Sequence, residues 1–223
     1  MTDLHTVAAA LAWARQALAR THVAEPLDGP VLLAHVLGCD RAALLAHPER
    51  LLTPEQETAF RALIARRAEG VPVAYLTGRR AFFDLELLVT PDVLIPRPET
   101  EHLVELALAW AQKRAGRLRL IDVGTGSGAI ALALARHLPD AQVWAVDRSF
   151  AALQVARANA ARHGLRGRIH FLQADLLTAC GGATPPFDLI AANLPYIPAA
   201  PSGRAARRRG TSRCWRWTVA RTG

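Results

Sequence analysis

Four residues, Asn193-Leu194-Pro195-Tyr196, have types suited to one defined chemical task. A planar NH2 on an sp2 carbon is a poor nucleophile because its lone pair is delocalised into the neighbouring π-system. Two acceptors aimed at its hydrogens would orient the nitrogen toward an electrophilic carbon and stabilise the positive charge that grows on it. Asn193 supplies a side-chain carbonyl and Leu194 a main-chain carbonyl. Pro195 restricts Leu194 to extended backbone, which fixes the second acceptor. Tyr196 offers an aromatic wall for the planar group. A plain strand-ending turn could use the same four types, so the tetrapeptide gains weight only from what accompanies it.

Its companion is Ile121-Asp122-Val123-Gly124-Thr125-Gly126-Ser127-Gly128-Ala129. The three glycines permit positive φ and close approach of a ligand to the backbone, and a helix start just beyond would present N–H groups. A nucleotide-like cofactor belongs there. Gly124-x-Gly126-x-x-Ala129 also satisfies the relaxed dinucleotide fingerprint, and Asp147 follows at a spacing suited to a ribose contact. NAD and S-adenosylmethionine sites both place an acid at that point, so Asp147 serves either; a helix N-cap is its bland alternative. Asp122, placed to help hold a cationic methionine moiety, and the Asn193 tetrapeptide tilt the choice to S-adenosylmethionine.

Elements of definite type must position these residues. From Leu4 to about Gly70 apolar positions recur at helical spacing, and Thr53-Pro54-Glu55-Gln56 has the form of a capping box with proline at the first helical position. Phe82, Phe83, Leu85, Leu87, Leu88 and Val89 cluster around Thr90-Pro91-Asp92 and predict a β-hairpin linking two domains. A helix is expected from Pro98 to Ala115. Strands then alternate with helices: Leu118 to Val123, Gln142 to Val146, Ile169 to Leu172 and Phe187 to Ala192 as strands, Ala129 to His137 and Phe150 to His163 as helices. That rhythm predicts an α/β fold with a doubly wound parallel sheet covered on both faces. No internal repeat is visible.

Of the 223 residues 51% are hydrophobic and 21% charged, which excludes a disordered chain and leaves ample side chain for a core. Apolar runs fall short of the roughly 18 residues a membrane span needs, and the N-terminus lacks a signal peptide's pattern, so a cytoplasmic protein is expected. Cys39, Cys180 and Cys214 are too scattered for a disulfide frame or a zinc site, and no metal is expected. The net charge of +8 is a property of the C-terminal stretch. Seven arginines and no acid lie beyond Ala199, which leaves 8 − 7 = +1 for residues 1–198. A basic face for nucleic acid is therefore not expected on the body, and the stretch reads as a solvated tail.

The glycine run, Asp147, Gln173-Ala174-Asp175 and the Asn-x-Pro-Tyr tetrapeptide together resemble class I methyltransferases that act on amide or exocyclic amino nitrogens. Ala74-Tyr75-Leu76-Thr77-Gly78 and the specific run Val93-Leu94-Ile95-Pro96-Arg97-Pro98-Glu99-Thr100-Glu101 resemble one branch, the peptide chain release factor glutamine methyltransferases (HemK/PrmC). The resemblance covers residues 1–198. It implies an incomplete Rossmann-like sheet behind a small N-terminal helical bundle: residues 1–70 as a release factor-binding bundle, 71–97 as a hairpin linker, 98–198 as a partial S-adenosylmethionine-dependent domain and 199–223 as a basic tail. It implies methyl transfer to the glutamine amide of the Gly-Gly-Gln loop of class I release factors by a monomer with no specific nucleic-acid or membrane partner. Residue by residue, Asp122 and Gly124, Thr125, Gly126, Ser127 and Gly128 would line the methionine and ribose. Asp147 would bond the ribose hydroxyls, and Asp175 with Leu176 would flank the adenine. Asn193, Leu194, Pro195 and Tyr196 would hold the target amide, while Arg97 and Glu99 would shape its approach. Leu194 departs from the family's usual proline but keeps the main-chain carbonyl. The alternatives are a DNA adenine or cytosine amino-methyltransferase, which shares the Asn-x-Pro-Tyr device, and a non-catalytic nucleotide-binding protein whose bundle docks to a partner.

A second departure follows Tyr196. The resemblance implies three further strands and their helices, whereas 27 residues remain. Back-translating Cys214-Trp215-Arg216-Trp217-Thr218-Val219 with GC-rich codons and shifting the frame produces Leu-Ala-Leu-Asp-Gly, a family-like run. Of the 27 basic residues only Lys113 is lysine, as GC-rich coding would produce. A truncated or frame-shifted end is thus expected, and with it an exposed sheet edge, weak folding and little activity.

Overall fold

The computed structural model describes residues 4–19, 21, 24–178 and 186–194. Pro195, Tyr196, Cys180, Cys214 and the basic stretch 199–223 lie outside the described residues. Two compact units divide between Arg79 and Arg80.

The first unit is helical: α1 (Val7–Leu18), α2 (Asp28–Leu37), α3 (Arg41–Ala46), α4 (Pro54–Ala68) and the short α5 (Val73–Thr77). Three of its helix starts are written in the sequence. Thr6, Asp40 and Thr53 each accept from the backbone N–H three residues on, at Ala9, Ala43 and Gln56. Gln56 Oε1 in turn accepts from Thr53 N, 2.9 Å, which completes the expected capping box. Leu4, Val7, Leu32, Leu33, Phe60 and Ile64 fill the core between the helices. One buried ion pair crosses it: Arg67 Nε, at the end of α4, donates to Asp28 Oδ2, at the start of α2, across 2.7 Å.

The second unit opens on a hairpin of β1 (Arg79–Phe82) and β2 (Leu85–Leu88). Its turn is Phe83-Asp84, not Thr90-Pro91-Asp92 as the sequence suggested. Two-residue hairpin turns need positive φ, usually from glycine or asparagine, and Phe83 adopts φ 54° without any such signal. Side chains hold it there. Phe83 N donates to Glu101 Oε1 (3.1 Å), the Phe83 ring meets His137 edge-on at 5.3 Å, and Asp84 pairs with Arg136 (2.8 Å) and His137 (3.2 Å). Thr90 Oγ1 accepts from Asp92 N in a separate turn after β2. Phe82, Leu85 and Leu87 join the core of this unit.

Then come α6 (Glu99–Ala111), β3 (Arg119–Val123), α7 (Ala129–His137), β4 (Gln142–Asp147), α8 (Phe150–Arg162), β5 (Ile169–Gln173) and β6 (Leu189–Ala192). The strands run parallel in the order β5-β4-β3-β6, with Val123 opposite both Val146 and Ala192. Side chains alternate as a pleated sheet requires. Leu120, Val143, Ala145, Leu189 and Ala191 join the core made with α6, α7 and α8, whereas Ile121, Val123, Trp144, Val146 and Ile190 gather with Phe187 on the other face. Among the described residues, helices therefore cover one face of the sheet, where cover on both was expected. The chain leaves β3 toward β4 and β5 on one side and returns to β6 on the other. This reversal opens a crevice at the carboxyl ends of β3 and β6, where open α/β sheets bind ligands. Among the described residues no helix is long and apolar enough to cross a membrane.

Candidate active site

The crevice is built from the glycine turn upward. β3 ends at Val123, and the N–H groups of Gly124 (2.8 Å) and Thr125 (2.9 Å) both donate to Val146 O of the neighbouring strand. Gly124, Gly126 and Gly128 have φ of 74°, 55° and 85°. At two of them glycine is needed for space as well as conformation. A Cβ on Gly124 would run into the Leu194 side chain, and one on Gly128 would lie 2.5 Å from Leu132 Cδ1 and 3.1 Å from Ala156 Cβ. The missing side chain at Gly128 thus lets α7 start directly against α8.

Asp122 lies beneath this turn. It is 1% exposed, and its Oδ2 accepts from the Thr125 hydroxyl (2.6 Å) and from Ala131 N in the first turn of α7 (3.2 Å). Its Oδ1 is buried without a partner. Burial pushes its carboxyl up to about 6, against the pull of the Thr125 and Ala131 hydrogen bonds; Asp147 nearby raises it further. Asp122 is therefore a brace for the glycine turn whose charge acts through the loop.

Asp147 ends β4 with both oxygens in use: Oδ2 accepts from Gly126 N and Oδ1 from Ser149 N, each at 2.9 Å. It is not the helix N-cap, since Ser149 accepts from Ala152 N and caps α8. Each carboxylate oxygen keeps a further lone pair for a ligand hydroxyl. Beyond β5, Asp175 and Leu176 are exposed, and Leu176 takes φ 52°, a strained conformation for leucine. Such strain at the carboxyl end of a strand is typical of ligand-contacting loops.

Asn193 follows β6. Its Nδ2 donates to the Thr100 hydroxyl across 2.8 Å, a contact between residues 93 apart in sequence. A cavity of about 50 Å³ joins Asn193 and Thr100 to Gly124, Thr125, Gly126 and Ser127, with Leu94 to Arg97 along its rim and Ala129 and Ile130 of α7 behind. At roughly 10–15 Å³ per water it has room for a small planar group. Arg97 stands at this rim, whereas Glu99 is exposed in the first turn of α6, outside the lining.

Two residues without an assigned role in the sequence take part in this construction. Thr100 sits inside the Ile95 to Glu101 run, but nothing in that run points to its partner. Asn159 of α8 is wholly buried: its Oδ1 accepts from Leu88 N (2.7 Å), and its Nδ2 donates to Leu88 O (3.0 Å) and Ser127 O (2.9 Å). It ties the end of the hairpin to the glycine turn. An asparagine at a core position of a helix was the available signal, because a buried amide needs partners.

The PrmC N-terminal domain family matches residues 9–78, and a methyltransferase domain family matches residues 120–209. Proteins named release factor glutamine methyltransferase match across both regions. The one from Bordetella pertussis is 50% identical over 171 residues, 77% of this chain and 62% of that protein. That from Koribacter versatilis is 47% identical over 171 residues, covering 77% and 60%. The Escherichia coli protein is 44% identical over 187 residues, covering 83% and 66%. The chain belongs to the release factor glutamine methyltransferase family. Its sheet is that of the class I methyltransferase fold, joined to a PrmC N-terminal domain. The chain spans less than two thirds of the length of these family members. Neither the DNA-directed nor the non-catalytic alternative finds support among them.

Proposed function

We propose that this protein transfers a methyl group from S-adenosylmethionine to the side-chain amide nitrogen of the glutamine in the Gly-Gly-Gln loop of class I release factors. The observation that carries this reading is the cavity shared by Asn193 and the glycine turn. It brings an amide acceptor to the loop that suits a nucleoside cofactor.

The residues present fit S-adenosylmethionine. Gly124 to Gly128 expose backbone at a helix start, Asp147 offers carboxylate lone pairs for ribose hydroxyls, and Asp175 with Leu176 stands at the carboxyl end of the sheet for the adenine. Asp122 has a buried oxygen with no partner, so a cation above the turn would find uncompensated negative charge below it. When bound, S-adenosylmethionine supplies a methyl carbon made electrophilic by its sulfonium. Asn193 Oδ1 accepts from the target NH2, and the main-chain carbonyl of Leu194 is the second acceptor. Together they orient the nitrogen and stabilise the positive charge that develops there. Pro195 and Tyr196 complete the tetrapeptide, with Tyr196 as the wall beside the planar amide. Arg97 at the cavity rim and Glu99 near it guide the approach of the release factor loop. Residues 1–70 bind the release factor, 71–97 link, and 98–198 hold cofactor and target. The protein works as a cytoplasmic monomer.

The test is mass spectrometry of a release factor co-expressed with the protein. One added methyl on the loop glutamine is expected, and Asn193→Ala should slow transfer by ~100-fold or more, as loss of one transition-state hydrogen-bonding group does in other enzymes. An unmodified glutamine beside active parent enzyme of the same family would overturn the reading.

A further inference from the structure

Asn193 has two chemically unlike ends, and the proposed chemistry uses only one. Oδ1 accepts, whereas Nδ2 can only donate, so a side chain turned by half a rotation about its last bond would present a donor to the donor hydrogens of the target. A hydroxyl can serve either end of an amide, as acceptor from Nδ2 or donor to Oδ1, and at Asn193 it is the acceptor. Thr100 is 3% exposed, its backbone is anchored by a hydrogen bond from Thr100 N to Arg97 O (2.9 Å), and its hydroxyl oxygen receives Asn193 Nδ2 at 2.8 Å. The two atoms on the amide carbon diverge, so Oδ1 turns away from Thr100 when Nδ2 is engaged. Both residues line the one cavity with Gly124 to Ser127. The packing of α6 against β6 and α7 keeps the hydroxyl in place.

We propose that Thr100 is a positioning residue: its hydroxyl fixes the Asn193 amide with Oδ1 presented to the target nitrogen. The inference rests on the reading of Asn193 as the acceptor for that nitrogen. Thr100 needs no contact with substrate or cofactor for this role. It also links the Ile95 to Glu101 run to Asn193 after β6.

Two measurements on the full chain test it. The first follows the side-chain NH2 resonances of Asn193 in 15N-labelled protein. In the parent one amide hydrogen should be protected from solvent exchange. Thr100→Val, which keeps the shape and removes the hydroxyl, should abolish that protection; Thr100→Ser should retain it. Thr100→Ala serves as a second deletion should the valine variant not fold. Unchanged Asn193 resonances and exchange in a folded deletion variant would overturn the proposal whatever the activity. The second measurement is steady-state methyl transfer to a release factor. Thr100→Val should lower kcat by ~100-fold, the scale of loss expected when a reacting group is misoriented. The KM for S-adenosylmethionine should stay within about twofold, and Thr100→Ser should recover most of kcat, since the change lies in orientation and not in cofactor binding. A fall in melting temperature with kcat unchanged would show a purely structural role and overturn the proposal. If the parent transfers no methyl group while the NH2 protection behaves as stated, the functional reading fails and the Thr100 contact stands.

Discussion

Asp122 holds its place at a cost that depends on pH. A carboxyl raised from the ordinary 3.8 to about 6 by burial favours the protonated acid in the folded state. Its contribution to stability is therefore fully present below about pH 4 and is lost as the pH rises through 6. At about 1.4 kcal/mol per unit, the loss amounts to ~3 kcal/mol at neutral pH. Asp122→Asn cannot ionise, and its amide oxygen can still accept from Thr125 and Ala131. The stability difference between variant and parent should therefore move by ~3 kcal/mol in favour of the variant between pH 4 and pH 7. Urea denaturation at both values measures it, and a difference independent of pH would show that Asp122 titrates as an ordinary acid. The sequence placed Asp122 beside the glycines but could not show that it lies under them.

At the scale of elements, local chemistry is legible wherever neighbours in sequence make the contact. The Thr53 capping box and the span of α7 from Ala129 to His137 follow from residues within one or two turns. The hairpin turn did not, because Phe83 takes positive φ for the sake of Glu101 and His137, 18 and 54 residues away. The tie between α2 and α4 has the same non-local character. Asp28 Oδ2 accepts from both Arg67 Nε (2.7 Å) and Glu25 N (2.8 Å), so truncating it leaves a guanidinium buried with its main partner gone. Asp28→Ala should destabilise the helical unit by ~3–5 kcal/mol, whereas exposed ion pairs such as Arg162 with Glu86 should matter far less. Chemical denaturation followed by far-UV circular dichroism distinguishes these outcomes.

For the molecule as a whole, binding is the test of what the crevice was built to receive. The glycine turn and Asp147 are compatible with either of two nucleoside cofactors, but only one is a cation that would relieve the unpaired Asp122 oxygen. S-adenosylmethionine at 100 times its Kd should raise stability by ~2.7 kcal/mol, and NAD at the same concentration should leave the melting temperature unchanged. A thermal shift with NAD alone would reverse the cofactor assignment. The order β5-β4-β3-β6 is what makes a single crevice possible, since it puts the ends of β3, β4 and β6 side by side although the chain visits them in turn.

Residue types and short spacings by themselves determined the parallel α/β class, the glycine turn, the acid that ends β4 and the amide after β6. Each depends on patterns a few residues long: strand alternation, helix caps, glycine where backbone must turn. Tertiary structure alone decided that Asn193 meets Thr100, that Asn159 joins Leu88 to Ser127, and that Asp122 is sealed beneath the loop. Those contacts span 32 to 93 residues or depend on burial. Distance across the fold is set by strand register and helix packing, which no local pattern encodes.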